Sequence, residues 1–135
     1  IEQHVAFSRA SSPPEDEYAL EVNELTESSV LFFSARHDDE LLGIGALKIL
    51  NTSHAELKSM HTAAKARGQG VGRAILRHLL AVAKERGVTR VSLETGTMDA
   101  FAPARALYAE AGFTPCPPFA DYRPSTNSVC MTVVL

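Results

Sequence analysis

A basic turn with three glycines lies near the middle of the sequence, between a strand-like segment and a helix-like one. It runs from Lys65 to Arg73 and reads KARGQGVGR. A glycine-spaced turn that opens a helix leaves several backbone N–H groups without intrahelical partners, at the positive end of the helix dipole. Such a turn is suited to hold a phosphate group. These residues therefore indicate a ligand that carries phosphate.

Two common phosphate-binding motifs do not fit this turn. A Walker loop requires Lys followed by Ser or Thr where Arg73 and Ala74 stand. The dinucleotide fingerprint GxGxxG fails as well, because its third glycine is absent whether the count begins at Gly68 or at Gly70. A nucleotide-phosphate enzyme is therefore disfavoured.

The turn matches a third pattern, Arg/Gln-x-x-Gly-x-Gly/Ala, at Arg67, Gly70 and Gly72. The segments ELKSM, LETG, ALYAEAGF, PF-x-x-Y and SVCM accompany it along the chain. In this combination the sequence resembles a small bacterial-type branch of the GNAT N-acetyltransferase superfamily, from Leu41 to Leu135 and more weakly before that. The resemblance implies that the turn binds the pyrophosphate of acetyl-CoA.

The resemblance also implies which residues contact acetyl-CoA. The turn contributes mainly backbone N–H groups, while the end of the preceding strand pairs through its main chain with the pantetheine arm. One N–H group of that strand end is expected to polarise the thioester carbonyl. The expected coenzyme-binding residues are Met60, His61, Thr62, Arg67, Gly68, Gln69, Gly70, Val71, Gly72 and Arg73.

Acetyl transfer to an amine requires a group that removes the amine proton, and Glu56 is the candidate base. It lies on the strand before the turn, where some superfamily members carry a catalytic carboxylate. Partly apolar surroundings would make its carboxylate a stronger base. The alternative is a buried structural glutamate paired with Lys58 on the same strand face. Glu94, on the neighbouring strand, is the competing base, and a water chain is a third route.

Tyr108 is the candidate acid, because in the ALYAEAGF pattern this tyrosine commonly faces the coenzyme sulfur. A phenol remains protonated at neutral pH and can donate its proton to a departing thiolate. The alternative is an aromatic residue that only packs a helix against the sheet.

The remaining candidates concern the acceptor and the route of transfer. Cys116 and Cys130 are considered as nucleophiles of a two-step route, but no His-Asp or His-Asn arrangement supports them, so direct transfer in a ternary complex is preferred. The five scattered histidines suggest no metal site. The acceptor-binding residues are expected to include Lys58, Glu94, Phe119 and Tyr122.

Composition limits the classes of partner. The chain has 135 residues, 45% hydrophobic and 21% charged, with a formal net charge of −3. This balance gives no basic field for nucleic acid, and no apolar run is long enough to span a bilayer. Two cysteines do not form a disulfide framework. We expect a cytoplasmic protein with a single domain over residues 1–135, and a homodimer is an open alternative.

The elements that must position these residues follow from periodicity, glycine and proline. Residues 1–10 are predicted to be a helix, and the first strand of the fold is expected to be missing before them. A GNAT fold of class α/β (α+β) is implied, with a mixed, largely antiparallel sheet, splayed central strands and helices on both faces. The other predicted elements are a helix over Glu15–Val22, a hairpin of Val30–His37 and Leu41–Leu50 with a bend or bulge at Gly43 and Gly45, a strand up to Thr62, a helix up to Glu85 capped by Gly87, a strand over Val88–Gly96, a helix over Ala102–Phe113, a loop over Pro115–Phe119 that cannot be a central strand, and a strand over Ser128–Leu135.

The sequence therefore predicts an N-acetyltransferase that moves an acetyl group from acetyl-CoA to a primary amine of a small molecule or amino acid. A protein or peptide N-acetyltransferase is the first alternative. The second alternative is a GNAT-like module that senses CoA without catalysis.

Overall fold

The computed structural model describes residues 6–9 and 29–135, and within these residues seven strands form one sheet in the order β1-β2-β3-β4-β5-β7-β6. Two α-helices and two short 3₁₀ turns, Ala64–Ala66 and Asp99–Phe101, connect the strands. The strands are β1 Ala6–Arg9, β2 Val30–His37, β3 Glu40–Ile49, β4 His54–Thr62, β5 Arg90–Gly96, β6 Thr114–Cys116 and β7 Ser128–Val134, and the helices are α1 Val71–Glu85 and α2 Ala102–Glu110.

The sheet is antiparallel except at its centre, where β4 and β5 run parallel. Their pairing covers only His54 with Arg90, Ala55 with Val91 and Glu56 with Ser92. Both strands continue past this point, so β4 and β5 diverge toward their carboxyl ends. The splayed, largely antiparallel sheet expected from the sequence is confirmed.

Helix α1 follows the predicted apolar stripe. Its buried residues recur three or four positions apart, so they form one face that packs on β3 and β4. Gly87 ends the helix with φ 84°, as predicted, and the amide of Val88 bonds to the carbonyl of Ala83. The buried residues of α1 are Val71, Ile75, Leu76, Leu79 and Ala83.

Apolar residues are buried on both faces of the sheet, because neighbouring residues of a strand point in opposite directions. Leu31 and Leu47 belong to the core beneath α1, whereas Phe32 and Ile44 belong to a second cluster on the other face. The helix predicted over Glu15–Val22 lies outside the described residues. Among the helices that the structure describes, none has the length and apolar character needed to cross a bilayer.

The prediction for the start of the chain is wrong. Ala6–Arg9 is a strand, not part of a helix, and it pairs antiparallel with β2 at one edge of the sheet. Residues 1–10 therefore contain a strand of the sheet, whereas the prediction placed a helix there and expected a strand before it. Four residues are too few for an apolar pattern to distinguish a strand from a helix, and here pairing with β2 decides.

The later elements agree with the predictions to within a few residues. The hairpin of β2 and β3 turns at Asp38, and the register shifts between Ala35 and Arg36, opposite the Gly43 region where a bend was predicted. The proline-rich stretch contributes only β6, a three-residue strand at the other edge of the sheet. An edge position suits proline, which cannot donate a ladder hydrogen bond.

Candidate active site

The divergence of β4 and β5 opens a cavity of about 470 Å³, which we call the splay cavity. Strands β4 and β5 form its two sides, and α2 and the segment before β7 close it. Two carboxylates and two phenols therefore line one space. The lining residues are Glu56, Leu57, Lys58, Ser59, Met60, Leu93, Glu94, Thr95, Gly96, Phe101, Ala104, Tyr108, Tyr122 and Ser128.

A second cavity, of about 1060 Å³, runs between the glycine turn and α2, and we call it the turn groove. It is lined by Met60–Thr62 at the end of β4, by most of the turn and by the outer face of α2. The two cavities share Met60, Ala104 and Tyr108. A ligand lying in the turn groove can therefore reach into the splay cavity beside Tyr108.

The backbone of the glycine turn is open toward the turn groove. Gly68 and Gly70 have φ 78° and 83°, a conformation that glycine adopts at little cost, and no atom lies within 4 Å of a Cβ built on either residue. Within residues 29–135, the amides of residues 68–73 make no internal hydrogen bond. Because α1 begins at Val71 and has no acidic residue in its first turn, these main-chain groups fit an anionic ligand such as a diphosphate.

The side chains of the turn are held by protein groups. The Nε of Arg67 donates to the carbonyl of Thr62 at 3.3 Å, and the side-chain Nε2 of Gln69 donates to the carbonyl of Lys65 at 3.2 Å. Arg73 forms an ion pair with Glu110 across the turn groove. The turn therefore presents mainly main-chain N–H groups to the turn groove.

The last part of β4 carries an irregularity at the junction of the two cavities. The register with β3 shifts between Ile44 and Ala46, and Ser59 has φ 57°, in the left-handed region. Beyond Glu56 this strand no longer pairs with β5, so among the described residues one edge of its main chain borders the cavities. The main chain at the end of β4 thus runs beside the cavities, where an extended ligand could lie along it.

Glu56 is 3% exposed, although it is a carboxylic acid that lines the splay cavity. The hydroxyl of Tyr122 donates a hydrogen bond to its Oε2. Glu94 lies on the opposite side of the cavity and accepts a hydrogen bond of 2.9 Å from Oγ of Ser128. Each candidate base is therefore held by a hydroxyl group from the chain that follows β6.

Tyr108 lies on α2 where the two cavities meet, and it is 7% exposed. Its ring centroid lies 5.8 Å from that of Phe113. Burial raises the pKa of Tyr108 above its ordinary value of 10.0, so the phenol stays protonated at neutral pH. Its position suits a proton donor to a group that lies at the junction.

Comparisons with known proteins agree with this geometry. The sequence model of the Acetyltransferase (GNAT) family matches residues 2–113. The uncharacterized N-acetyltransferase YsnE of Bacillus subtilis is 46% identical over 132 residues, which cover 98% of this chain and 87% of YsnE. The chain belongs to the GNAT acetyltransferase family.

Solved structures show the same GNAT fold. A Klebsiella pneumoniae protein assigned as an acyl-CoA N-acyltransferase superposes with TM-score 0.83 and 27% identity, over 97% of each chain. A GNAT family acetyltransferase of Elizabethkingia anophelis, solved with acetyl-CoA bound, superposes with TM-score 0.80 and 17% identity, over 99% of this chain and 100% of that one.

The GNAT resemblance singled out about half of the residues that line the two cavities. Lys58, Glu94 and Tyr122 line the splay cavity, whereas Phe119 is not among its lining residues. The Phe119 ring instead packs against Tyr122 at 5.1 Å and His54 at 5.8 Å. Phe119 therefore packs against Tyr122 without lining the splay cavity itself.

Phe101 and Ser128 are among the residues of the splay cavity that sequence reasoning missed. The Phe101 ring lies against the backbone of Gly96 so closely that a Cβ on Gly96 would come within 2.5 Å of it. Glycine at the end of the LETG segment was the available signal, because glycine inside a strand often marks a close approach. Ser128 gave no such signal, since its contact with Glu94 spans 34 positions.

The two cysteines of this GNAT chain lie together at the sheet edge. Cys116 on β6 is the register partner of Cys130 on β7, and both thiols are free. Burial raises the pKa of each thiol, which keeps it neutral and poorly nucleophilic. Neither cysteine lines either cavity. Among the described residues, no group of three or more His, Cys, Asp or Glu side chains could hold a metal ion.

Proposed function

We propose that this GNAT protein transfers an acetyl group from acetyl-CoA directly to a primary amine of a small molecule or amino acid. The observation that carries the proposal is the junction of the two cavities at Tyr108. One cavity presents free main-chain amides for a diphosphate, and the other presents carboxylates for an amine. A thioester at the junction would lie within reach of both.

The coenzyme would lie in the turn groove. Residues 68–73 would bind its diphosphate through backbone N–H groups, with Arg67 and Arg73 adding positive charge. Met60, His61 and Thr62 would pair with its amide-bearing arm, because the edge of β4 that faces the cavities has left β5. The acetyl-CoA bound to the Elizabethkingia anophelis relative supports this choice of co-substrate.

The chemical roles follow from position. An amine whose pKa is about 10.4 is protonated at neutral pH, so it must lose a proton before it attacks. Glu56 would accept that proton, directly or through water, while Glu94 is the competing base on the other side of the cavity. Tyr108 would donate its proton to the departing thiolate, and an N–H group of residues 60–62 would stabilise the developing oxyanion.

Direct transfer is favoured over a route through an acetyl-cysteine. Both thiols are outside the cavities, and burial raises the pKa of each. The proposed partner is a small amine rather than nucleic acid or a membrane, and the proposed site of action is the cytoplasm.

The test is release of CoA thiol from acetyl-CoA in the presence of amino acids, polyamines, aminoglycosides and peptides. The proposal expects release that requires a small amine and saturates with it. Faster acetylation of peptides than of any small amine would favour the alternative, a protein or peptide acetyltransferase. Tight binding of CoA in calorimetry with no acceptor-dependent release would favour a sensing module instead.

A further inference from the structure

The short loop between β6 and β7 delivers a tyrosine to Glu56. Its turn is closed by a 3.0 Å hydrogen bond from the amide of Tyr122 to the carbonyl of Phe119, with Ala120 at φ 52°. The Phe119 ring packs against both the His54 ring and the Tyr122 ring. The loop therefore fixes the Tyr122 ring on one side, while its hydroxyl points to the carboxylate of Glu56.

Glu56 is almost fully buried, and a buried polar group needs a hydrogen-bond partner. The hydroxyl of Tyr122 supplies that donor without supplying a charge. A hydrogen-bond donor favours the charged form of a carboxylic acid in general, and here the phenol holds Oε2 of Glu56 in one direction.

Several polar side chains around Glu56 have other hydrogen-bond partners. Nε2 of His54 lies 2.7 Å from Oγ of Ser92, and the same Oγ lies 2.9 Å from the hydroxyl of Thr132. Glu94 is bonded to Ser128. The titratable groups that face Glu56 or act on it electrostatically are Lys48 opposite it on β3, His54 and Lys58 on β4, Glu94 on β5, Tyr108 on α2, Tyr122 on the loop and Cys130 on β7.

We propose that Tyr122 is a positioning residue, which aims Glu56 at the acceptor amine and maintains it as a carboxylate. The inference rests on the proposed acetyl transfer and adds to it a decision between Glu56 and Glu94. If Tyr122 acts through the base, its removal changes the pH at which the enzyme becomes active. If Tyr122 only shapes the cavity, its removal changes affinity for the amine and leaves that pH unchanged.

The test compares pH profiles of kcat/KM for the amine in the wild type and in Tyr122→Phe. Loss of one hydrogen bond to a charged group should move the acid limb to higher pH by about one unit. KM for acetyl-CoA should stay unchanged, because Tyr122 does not line the turn groove. The matched control is Ser128→Ala, which removes the hydroxyl from Glu94 and should leave the position of the acid limb unchanged.

Two further variants separate the hydroxyl from the packing of the loop. Phe119→Leu keeps the hydroxyl and weakens the packing that holds the Tyr122 ring, so its acid limb should move in the same direction as that of Tyr122→Phe, but by less. Replacing Tyr122 by 3-fluorotyrosine keeps the size of the ring and strengthens the donor, so the acid limb should move to lower pH. This replacement also serves if Tyr122→Phe loses its cooperative unfolding transition.

A double-mutant cycle completes the test. In a Glu56→Gln background, Tyr122→Phe should cause less than about a twofold further loss of kcat/KM, because the two residues act as one unit. The proposal is overturned if neither replacement at Tyr122 moves the acid limb, if Ser128→Ala moves it instead, or if Tyr122→Phe has its full effect without Glu56. A wild type that releases no CoA with any amine overturns the proposed function itself, which is a different result.

Discussion

Nη2 of Arg73 lies 2.5 Å from Oε1 of Glu110, so an ion pair joins the first turn of α1 to the last turn of α2 across the turn groove. Both side chains are about half exposed, and such pairs add little to stability. The pair matters more for the binding of an anion, because Glu110 would place a negative charge beside a diphosphate held by the turn. We therefore expect the pair to affect the affinity of the turn groove for anions more than the stability of the fold.

Glu110→Gln should tighten CoA binding by about two- to fivefold at low salt, since it removes a repulsive charge and releases Arg73. Isothermal titration at two salt concentrations would measure this, and the gain should shrink at high salt. Glu85→Gln, at the far end of α1, is the control and should change nothing. Weaker binding by Glu110→Gln would show that the ion pair instead shapes the seat for the anion.

The glycine turn offers a prediction with an internal control. Arg67→Glu combined with Gly70→Asp should abolish CoA binding, because it puts negative charge and a side chain where main-chain amides face the groove. Gly87→Asp at the other end of α1 is the control, since Gly87 has nearly the same φ of 84°. Both glycine replacements should cost about 1–3 kcal/mol of stability, and only the first should lose calorimetric binding. Unchanged affinity in the first variant would remove the phosphate assignment.

Tyr108→Phe should lower kcat by about 10²-fold or more while KM for acetyl-CoA changes little, because the phenol is expected to act in the transition state rather than in binding. Steady-state kinetics would measure both constants. Burial raises the pKa of Tyr108 above 10.0. A loss of activity that sets in below that pH should therefore not arise from deprotonation of Tyr108. Full turnover by the variant would exclude Tyr108 as the acid.

The sequence predicted the elements whose signals are local. The helix from Val71 to Glu85 follows from an apolar stripe bounded by Gly70 and Gly87. The strand Ala6–Arg9 was mistaken for a helix because its structure depends on pairing with β2, about thirty positions away.

The candidate site was predicted where a motif contained the residue and missed where a contact spans the chain. Tyr122 meets Glu56 across 66 positions, and no local pattern indicates that the two will touch. The sequence placed Tyr122 near the acceptor, but only as a wall of the pocket. Its hydrogen bond to a candidate base follows from the turn at Ala120 and the packing of Phe119, which depend on the folded chain.

The stability of the protein should fall as the pH drops below 6.5. Burial, together with nearby Arg90, lowers the pKa of His54 below its usual 6.5, against an opposing effect of Glu56. The folded chain then holds fewer protons than the unfolded chain, so stability is lost as pH falls from 6.5 toward the lower folded pKa. Burial also lowers the pKa of His78, which contributes with the same sign.

Melting temperatures of the wild type and of His54→Asn between pH 7.5 and pH 5 would check this. The variant should lose part of the pH dependence, and the rest should remain because His78 is still present. His37→Gln is the control, since that side chain is exposed and lies at the far end of β2. A variant with the full wild-type slope would show that His54 does not contribute to acid sensitivity.

Gly96 and Phe101 provide a prediction about the acceptor. A Cβ at residue 96 would come within 2.5 Å of the Phe101 ring, so Gly96→Ala should push that ring away from the mouth of the splay cavity. KM for the amine should rise by about tenfold, in line with a loss of 1–2 kcal/mol of apolar contact, while CoA affinity stays unchanged. Phe101→Ala should produce the same rise, and combining both changes should add little, because each removes the same wall. Additive losses in the double variant, or a loss of CoA affinity, would show that Gly96 acts on the cavities by another route than Phe101.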